Sequence, residues 1–260
     1  MAAMDAIPAT TDETYSDRLL AFTIPARHAR GRLVRLDDTL DVILAAHDYP
    51  PPITHLLAEA LVLAVLMGGL VKDDGSQVTM QAQTEAGAVN LLVCDYKGGE
   101  LRGHVDFDPA KLAELGANPS LFALFGKGYL AITFDLAGAQ GRYQGIVPLE
   151  GDTLAEACER YFYQSEQVPT LLRCAVRSDD DGVRAAGLLV QHLPEGERDH
   201  DEIDARGAQR QRPDQQRSKA RDHNRHQPDY RHRLGAFDQK WALHDRCVAL
   251  RMGGENAHGI

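Results

Sequence analysis

Cysteine is scarce in this sequence, with four among 260 residues. So few and so scattered, they exclude a disulfide-dense secreted scaffold. Basic charge is also in deficit: 28 Lys+Arg stand against 38 Asp+Glu, a net of −10. With a pI near 5.5, the molecule as a whole is not built to bind polyanions. The start, MAAMDAIPATTDETYSDRLL, has no basic segment leading into an apolar one, so no secretory signal is expected and the cytoplasm is the expected compartment. One long apolar run exists, Ile53 to Val71, broken by His55 and Glu59. Its uninterrupted part, about 12 residues, falls short of the ~20 that cross a bilayer, so it reads as a buried helix and no membrane partner is expected.

Catalytic signatures are missing as well. There is no Gly-x-Ser-x-Gly and no His-Glu-x-x-His. Gly126-Lys127-Gly128 precedes a strand pattern instead of a helix and lacks the remainder of a phosphate loop, so it reads as a turn. Cys94, Cys158 and Cys174 lie in apolar patterns and are expected to be buried, inert thiols. His55 and Glu59 stand one helical turn apart, as two ligands or an acid–base pair could; a pair on a helix surface is the plainer reading. His223, His226, His232 and His244 are irregularly spaced, and Cys247 stands alone among them. No metal site, no catalytic residue and no cofactor are expected.

What is present divides unevenly. Residues 1–198 carry 16 Lys+Arg against 28 Asp+Glu, a net of −12, whereas 199–260 carry 12 against 10, a net of +2, and six of the eleven histidines. Residues 1–16 are polar and unpatterned, a mobile start. Within FTIPARHARGRLVRL a strand is expected, with Leu33, Val34 and Leu36 as its apolar residues. A helix follows from Asp38, with Leu40, Ile43 and Leu44 on one face. His47, Asp48 and Tyr49 close it, because Pro50, Pro51 and Pro52 cannot continue a helix. Pro52 suits the first turn of the apolar helix.

After a turn at Lys72-Asp73-Asp74-Gly75, QVTMQAQT alternates with period two, and AVNLLVCDY and ELRGHVDF complete a meander. Pro109 to Leu124 is weakly helical or loop. GYLAITFD turns at Gly138–Gly141 into RYQGIVPL. Thr153 and Glu156 fit a capping box for a helix whose apolar face is Leu154, Ala157, Cys158, Tyr161 and Phe162. TLLRCAVR and VRAAGLLVQHL flank Ser178–Gly182 as a hairpin. Short connections favour an antiparallel sheet, and helices packed on it give an α+β fold. From Ala205 to Arg233 there is no Val, Ile, Leu, Met, Phe or Trp. Such a stretch cannot bury enough apolar surface to offset its conformational entropy, so a disordered C-terminal tail is expected. Leu234, Phe237, Trp241, Leu243, Val248 and Leu250 could form one short helix there, not a domain.

Several strings carry a resemblance: HDYPPPITHLLAEAL (His47–Leu61), GYLAITFD with GRYQGIVPLEGDTLAEACERYFYQSEQVPT (Gly141–Thr170), and AAGLLVQHLP (Ala185–Pro194). Over about Asp17 to Glu197 the chain resembles the N-terminal domain of the heat-shock protein 33 family, redox-regulated holding chaperones of the bacterial cytosol. The resemblance implies an α+β body that holds unfolded or partly folded client proteins on apolar surface without ATP, and a homodimer when active. It also implies a helical linker and a C-terminal zinc domain with Cys-x-Cys and Cys-x-x-Cys, whose four thiolates hold zinc when reduced and form two disulfides when oxidised.

This chain has neither pair. Cys247 is the only cysteine after Cys174, so the zinc ligands and the redox switch are not carried over to any residue. Residues 17–197 are therefore read as the chaperone-like domain, and 198–260 as an aberrant or disordered tail in place of linker and zinc domain. Without that cover the client surface is expected to stay exposed. Which residues contact clients is not legible, because alternation does not say which sheet face stays uncovered. The alternative function is a folded domain whose Arg/His-rich disordered tail binds nucleic acid; interleaved aspartates weigh against it. An enzyme using His55 and Glu59 is a third reading.

Overall fold

A computed structural model describes residues 16–71, 75–84, 86–137, 141–193 and 250–251. The expectations for the mobile start (apart from Ser16), for Lys72–Asp74, for Gly138–Gln140 and for the tail (apart from Leu250 and Arg251) lie outside the described residues.

In chain order the elements are β1 (Arg18–Ile24), β2 (Ala29–Leu36), α1 (Asp38–Ala45), α2 (Pro51–Gly68), β3 (Gln77–Thr84), β4 (Val89–Lys97), β5 (Glu100–Phe107), α3 (Pro109–Ala113), α4 (Leu121–Phe125), β6 (Gly128–Leu136), β7 (Gly141–Pro148), α5 (Leu154–Tyr161), β8 (Thr170–Asp179), β9 (Gly182–His192) and β10 (Leu250–Arg251). The fold is α+β with antiparallel pairing throughout, as expected. The strands form two sheets, however, not one: a four-stranded sheet in the order β1-β2-β9-β8 and a six-stranded sheet in the order β10-β5-β4-β3-β6-β7.

The apolar run is α2. Pro51 and Pro52 occupy its first turn, where a missing N–H leaves no helical bond unmade. Leu56 to Gly68 are all buried except Glu59, and a helix apolar on every side belongs in an interior. By length and hydropathy α2 could cross a membrane, yet 72% of it is buried against protein; it is the core helix. Two glycines let the sheets approach it. A Cβ at Gly187 of β9 would stand 2.3 Å from Val62 Cγ1, and one at Gly103 of β5 would stand 2.8 Å from Leu57 Cδ1 and 2.9 Å from Leu61 Cδ2. Side chains one residue apart on a helix diverge by about 100°. Leu61 and Val62 therefore face different sheets, and α2 is shared by both.

Local differences from the sequence reading have identifiable causes. FTIPARHARGRLVRL contains parts of two strands, because Pro25–Arg27 forms a 3₁₀ turn and His28 adopts a left-handed conformation (φ 46°). That reverses the chain and pairs Leu20 with Leu33. The Pro109–Leu124 segment holds the short helices α3 and α4, capped by Asp108 and Ser120. At α5, Thr153 Oγ1 accepts from the Glu156 N–H at 3.2 Å, but Glu156 Oε2 accepts from Asp152 N–H at 2.9 Å. The reciprocal bond thus reaches one residue further back than in a capping box. Leu250 falls in no helix. Leu250 and Arg251 pair with Leu101 and Glu100 as a short strand on the edge of β5.

Candidate functional site

The one pairing of titratable groups that the sequence offered does not form. His55, exposed near the start of α2, shares a 3.1 Å hydrogen bond with Ser178 Oγ of β8. Glu59 turns the other way: its Oε1 accepts from the Ala155 N–H at 3.1 Å, at the N-terminus of α5. Glu59 is thus not a surface group but a partly buried cap, and the helix dipole favours a negative charge there. Both residues line one cavity of about 340 Å³ together with Leu56, Thr153 and Cys174.

Burial pushes the Glu59 carboxyl above its ordinary range, against the pull of backbone hydrogen bonds from Ala155 and Leu154. A carboxyl that binds its proton more tightly when folded makes the protein more stable as pH falls toward that raised range, and less so as pH rises through it. Glu59→Gln keeps an acceptor for Ala155 and is expected to remove this dependence without lowering the melting temperature at neutral pH. Glu59→Ala orphans the amide and is expected to cost about 1–3 kcal/mol. Thermal melts of the two variants across pH 5–8 check both.

The described thiols are unsuited to nucleophilic work. Cys94 and Cys158 are fully buried and Cys174 partly so, all three unpaired. Burial raises each thiol, Cys174 to about 12 with help from the Glu59 charge. Raised thiol pKa values favour the protonated, weakly nucleophilic form. Among the described residues no group of three His, Cys, Asp or Glu could hold a metal ion. Cys247 and the tail histidines lie outside the described residues.

The feature that stands out is one face of the four-stranded sheet. Opposed residues of an antiparallel pair share a face, so the register assigns both faces. On the inner face Val34, Leu36, Leu172, Ala185 and Leu189 are buried. Gly187 on that same face lies against Val62 and Leu66 of α2. The outer face is read across the strands in three rows. Ile24 stands opposite Ala29 and His192; Phe22 opposite Gly31, Val190 and Leu171; Leu20 opposite Leu33, Leu188 and Arg173. No helix named above covers these rows. Ile24 and Leu33 are each 43% exposed, and Leu171 is 41% exposed.

Phe22 lies across Gly31, where a Cβ would stand 2.1 Å from the ring. The glycine leaves the space over β2 that the end of the ring occupies. Below the apolar rows come Arg18, Arg35, Ala186 and Ala175, then Arg184 opposite Arg177. Arg35, Arg177, Arg184 and the alanines line a shallow depression of about 510 Å³. Asp37 and Asp179 hold these guanidinium groups, with Arg35 Nε 2.8 Å from Asp37 and Arg184 Nη1 3.3 Å from Asp179. The result is an apolar platform with an arginine-bordered end.

None of these residues was assigned from the sequence. A signal was nevertheless present: AAGLLV in β9 is a continuous apolar run, whereas an antiparallel strand with one wet face alternates. Such a run marks a strand that is apolar on both sides.

Comparison with known proteins bears on what this face is for. The sequence model described as Hsp33 protein matches residues 17–229, passing Glu197, where the visible resemblance ends. The 33 kDa chaperonin of Caulobacter vibrioides (strain NA1000 / CB15N) is 43% identical over 183 residues, 67% of this chain and 60% of that protein. The 33 kDa chaperonin of Yersinia pestis (strain Pestoides F) is 42% identical over 182 residues, covering 69% and 60%. The chain therefore spans about 60% of the length of these relatives. A crystal structure of the 33 kDa chaperonin (heat shock protein 33 homolog) from Thermotoga maritima superposes with a TM-score of 0.58 at 24% identity, over 67% of this chain and 60% of that one. At that identity the likeness is one of fold.

Proposed function

Because the chain belongs to the Hsp33 family, we propose that it is an ATP-independent holding chaperone, not an enzyme, and that it takes unfolded or partly folded proteins onto the outer face of its four-stranded sheet. The observation that carries this reading is the three-row apolar platform of Leu20, Phe22, Ile24, Leu33, Leu171, Leu188 and Val190. Unfolded chains expose apolar side chains, and covering them releases roughly 25 cal/mol per Å². Holding by such contact is an equilibrium and needs no nucleotide. The expected setting is the cytoplasm, and a second copy of the chain is an expected partner.

The family's zinc does not fit the thiols described. A structural zinc site needs four convergent ligands. Cys94 sits on β4, Cys158 on α5 and Cys174 on β8, and among the described residues no candidate cluster exists. Cys247 alone follows them in the sequence. We therefore read the holding activity as ungated by zinc or oxidant. Light scattering from a thermally unfolded client, with the chain present, tests both parts. Aggregation is expected to be suppressed equally with no addition, with peroxide and with a metal chelator. Suppression that begins only with peroxide would refute the ungated reading. No suppression in any state would refute the chaperone reading.

A further inference from the structure

We propose that the edge of β1 takes up a segment of the client's own backbone as a fifth strand, so that clients are held by main-chain hydrogen bonds as well as by the apolar face. This rests on the chaperone reading above and specifies how that site engages its substrate.

Pairing with one neighbour uses the N–H and C=O groups of alternate residues only, and the rest of an edge strand's groups point outward. The two sheets have four edges, and they are not equally available. On β8 the Leu172 N–H donates to Glu159 Oε1 at 2.7 Å. On β5, β10 pairs at Glu100 and Leu101, and the Val105 N–H donates to the Tyr49 hydroxyl at 3.0 Å. β7 carries Arg142 and ends in Pro148, two of the devices by which edge strands resist a further strand. β1 has Arg18 at its first position and Pro25 just past its end, but the six residues between them, LLAFTI (Leu19–Ile24), carry neither device. Among the described residues, no hydrogen bond other than its pairing with β2 reaches that stretch.

The side chains of β1 fit the same occupant. Leu20, Phe22 and Ile24 lie on the outer platform, whereas Ala21 and Thr23 between them are small and exposed. A strand laid alongside would place every second residue beside the apolar row, with only small groups flanking the others. The seven residues of β1 offer about 23 Å of edge at ~3.3 Å per residue. Recognition is then set by an extended backbone with alternating apolar side chains, a pattern that many unrelated unfolded chains share.

The test uses the full chain and a labelled peptide of about ten residues alternating Val and Thr, a length that spans the edge. Two analogues carry N-methyl groups on one or the other alternate set of amides. A strand added to one edge donates from one set only. One analogue is therefore expected to bind about tenfold or more weakly, and the other within about twofold of the parent. The parent peptide should also slow hydrogen exchange at amides of Leu19–Ile24. Four results would overturn strand addition: equal loss in both analogues, loss in neither, no binding of the parent peptide, or a dimer joined through β1 that the peptide does not open. If client aggregation is still suppressed in any of those cases, the platform reading survives and only the edge proposal falls.

Discussion

A chain carrying Leu33→Asp and Leu171→Asp is expected to fold normally and lose its hold on clients. Both leucines stand on the outer face, on β2 and β8, and both are more than 40% exposed. More than half of each side chain is already covered, so the two changes together should cost roughly 2–3 kcal/mol, within the ~5–15 kcal/mol that holds a domain folded. A bound client segment would cover them, and fully burying a leucine contributes about 1.5–3 kcal/mol. Two charges on that surface should raise the amount of chain needed to suppress aggregation by roughly tenfold or more. Val42→Asp is the control. Val42 is 46% exposed on α1, off the platform, and its variant should suppress as the parent does. If all three substitutions proved silent, the outer face would not be the holding surface.

The largest effect on stability is expected from Leu61→Ala. Leu61 is fully buried in the middle of α2 and touches the gap at Gly103. Large-to-small changes in such a core cost about 2–5 kcal/mol, against a total of only about 5–15 kcal/mol for a domain. At about 2–4 °C per kcal/mol for a body of this size, the melting temperature should fall by roughly 5–20 °C. Because α2 is shared by the two sheets, the loss should be cooperative. Hydrogen exchange should quicken in β4 of one sheet and β9 of the other together. Faster exchange confined to the six-stranded sheet would show that the sheets are independent and that α2 does not couple them.

Much of this fold is legible in the sequence because local physics dominates where it was read. Val78, Met80 and Ala82 alternate in β3 and point inward, as a half-buried strand requires. The unbroken apolar character of α2 says that it is interior, and Thr153 marks the start of α5. The unread part is non-local. That β2 lies beside β9, and that the strands fall into two sheets, depends on pairings between distant segments, which no short-range period encodes. In the sequence β1 and β2 read as one strand because RLLAFTI has little alternation, and the reversal between them turns on the left-handed His28, a position the residue type only weakly suggests. The platform was invisible for the same reason. Leu20, Leu33 and Leu188 become neighbours only once β1, β2 and β9 are in register. The absence of catalytic signatures, by contrast, could be read directly. His55 and Glu59 share a helix and even a cavity, yet each already has a different partner.

The pairing of residues 29–36 with 185–192 also bears on how the molecule comes into being. Chains are folded from the N-terminus as they leave the ribosome, and contacts between distant segments form late. β1 and β2 are among the first strands to emerge, and until β9 is translated neither has any other strand of its sheet to pair with. Throughout that interval Leu20, Phe22, Ile24 and Leu33 have no sheet behind them. During synthesis the chain therefore exposes the same apolar side chains that, on the function proposed above, its finished form offers to clients.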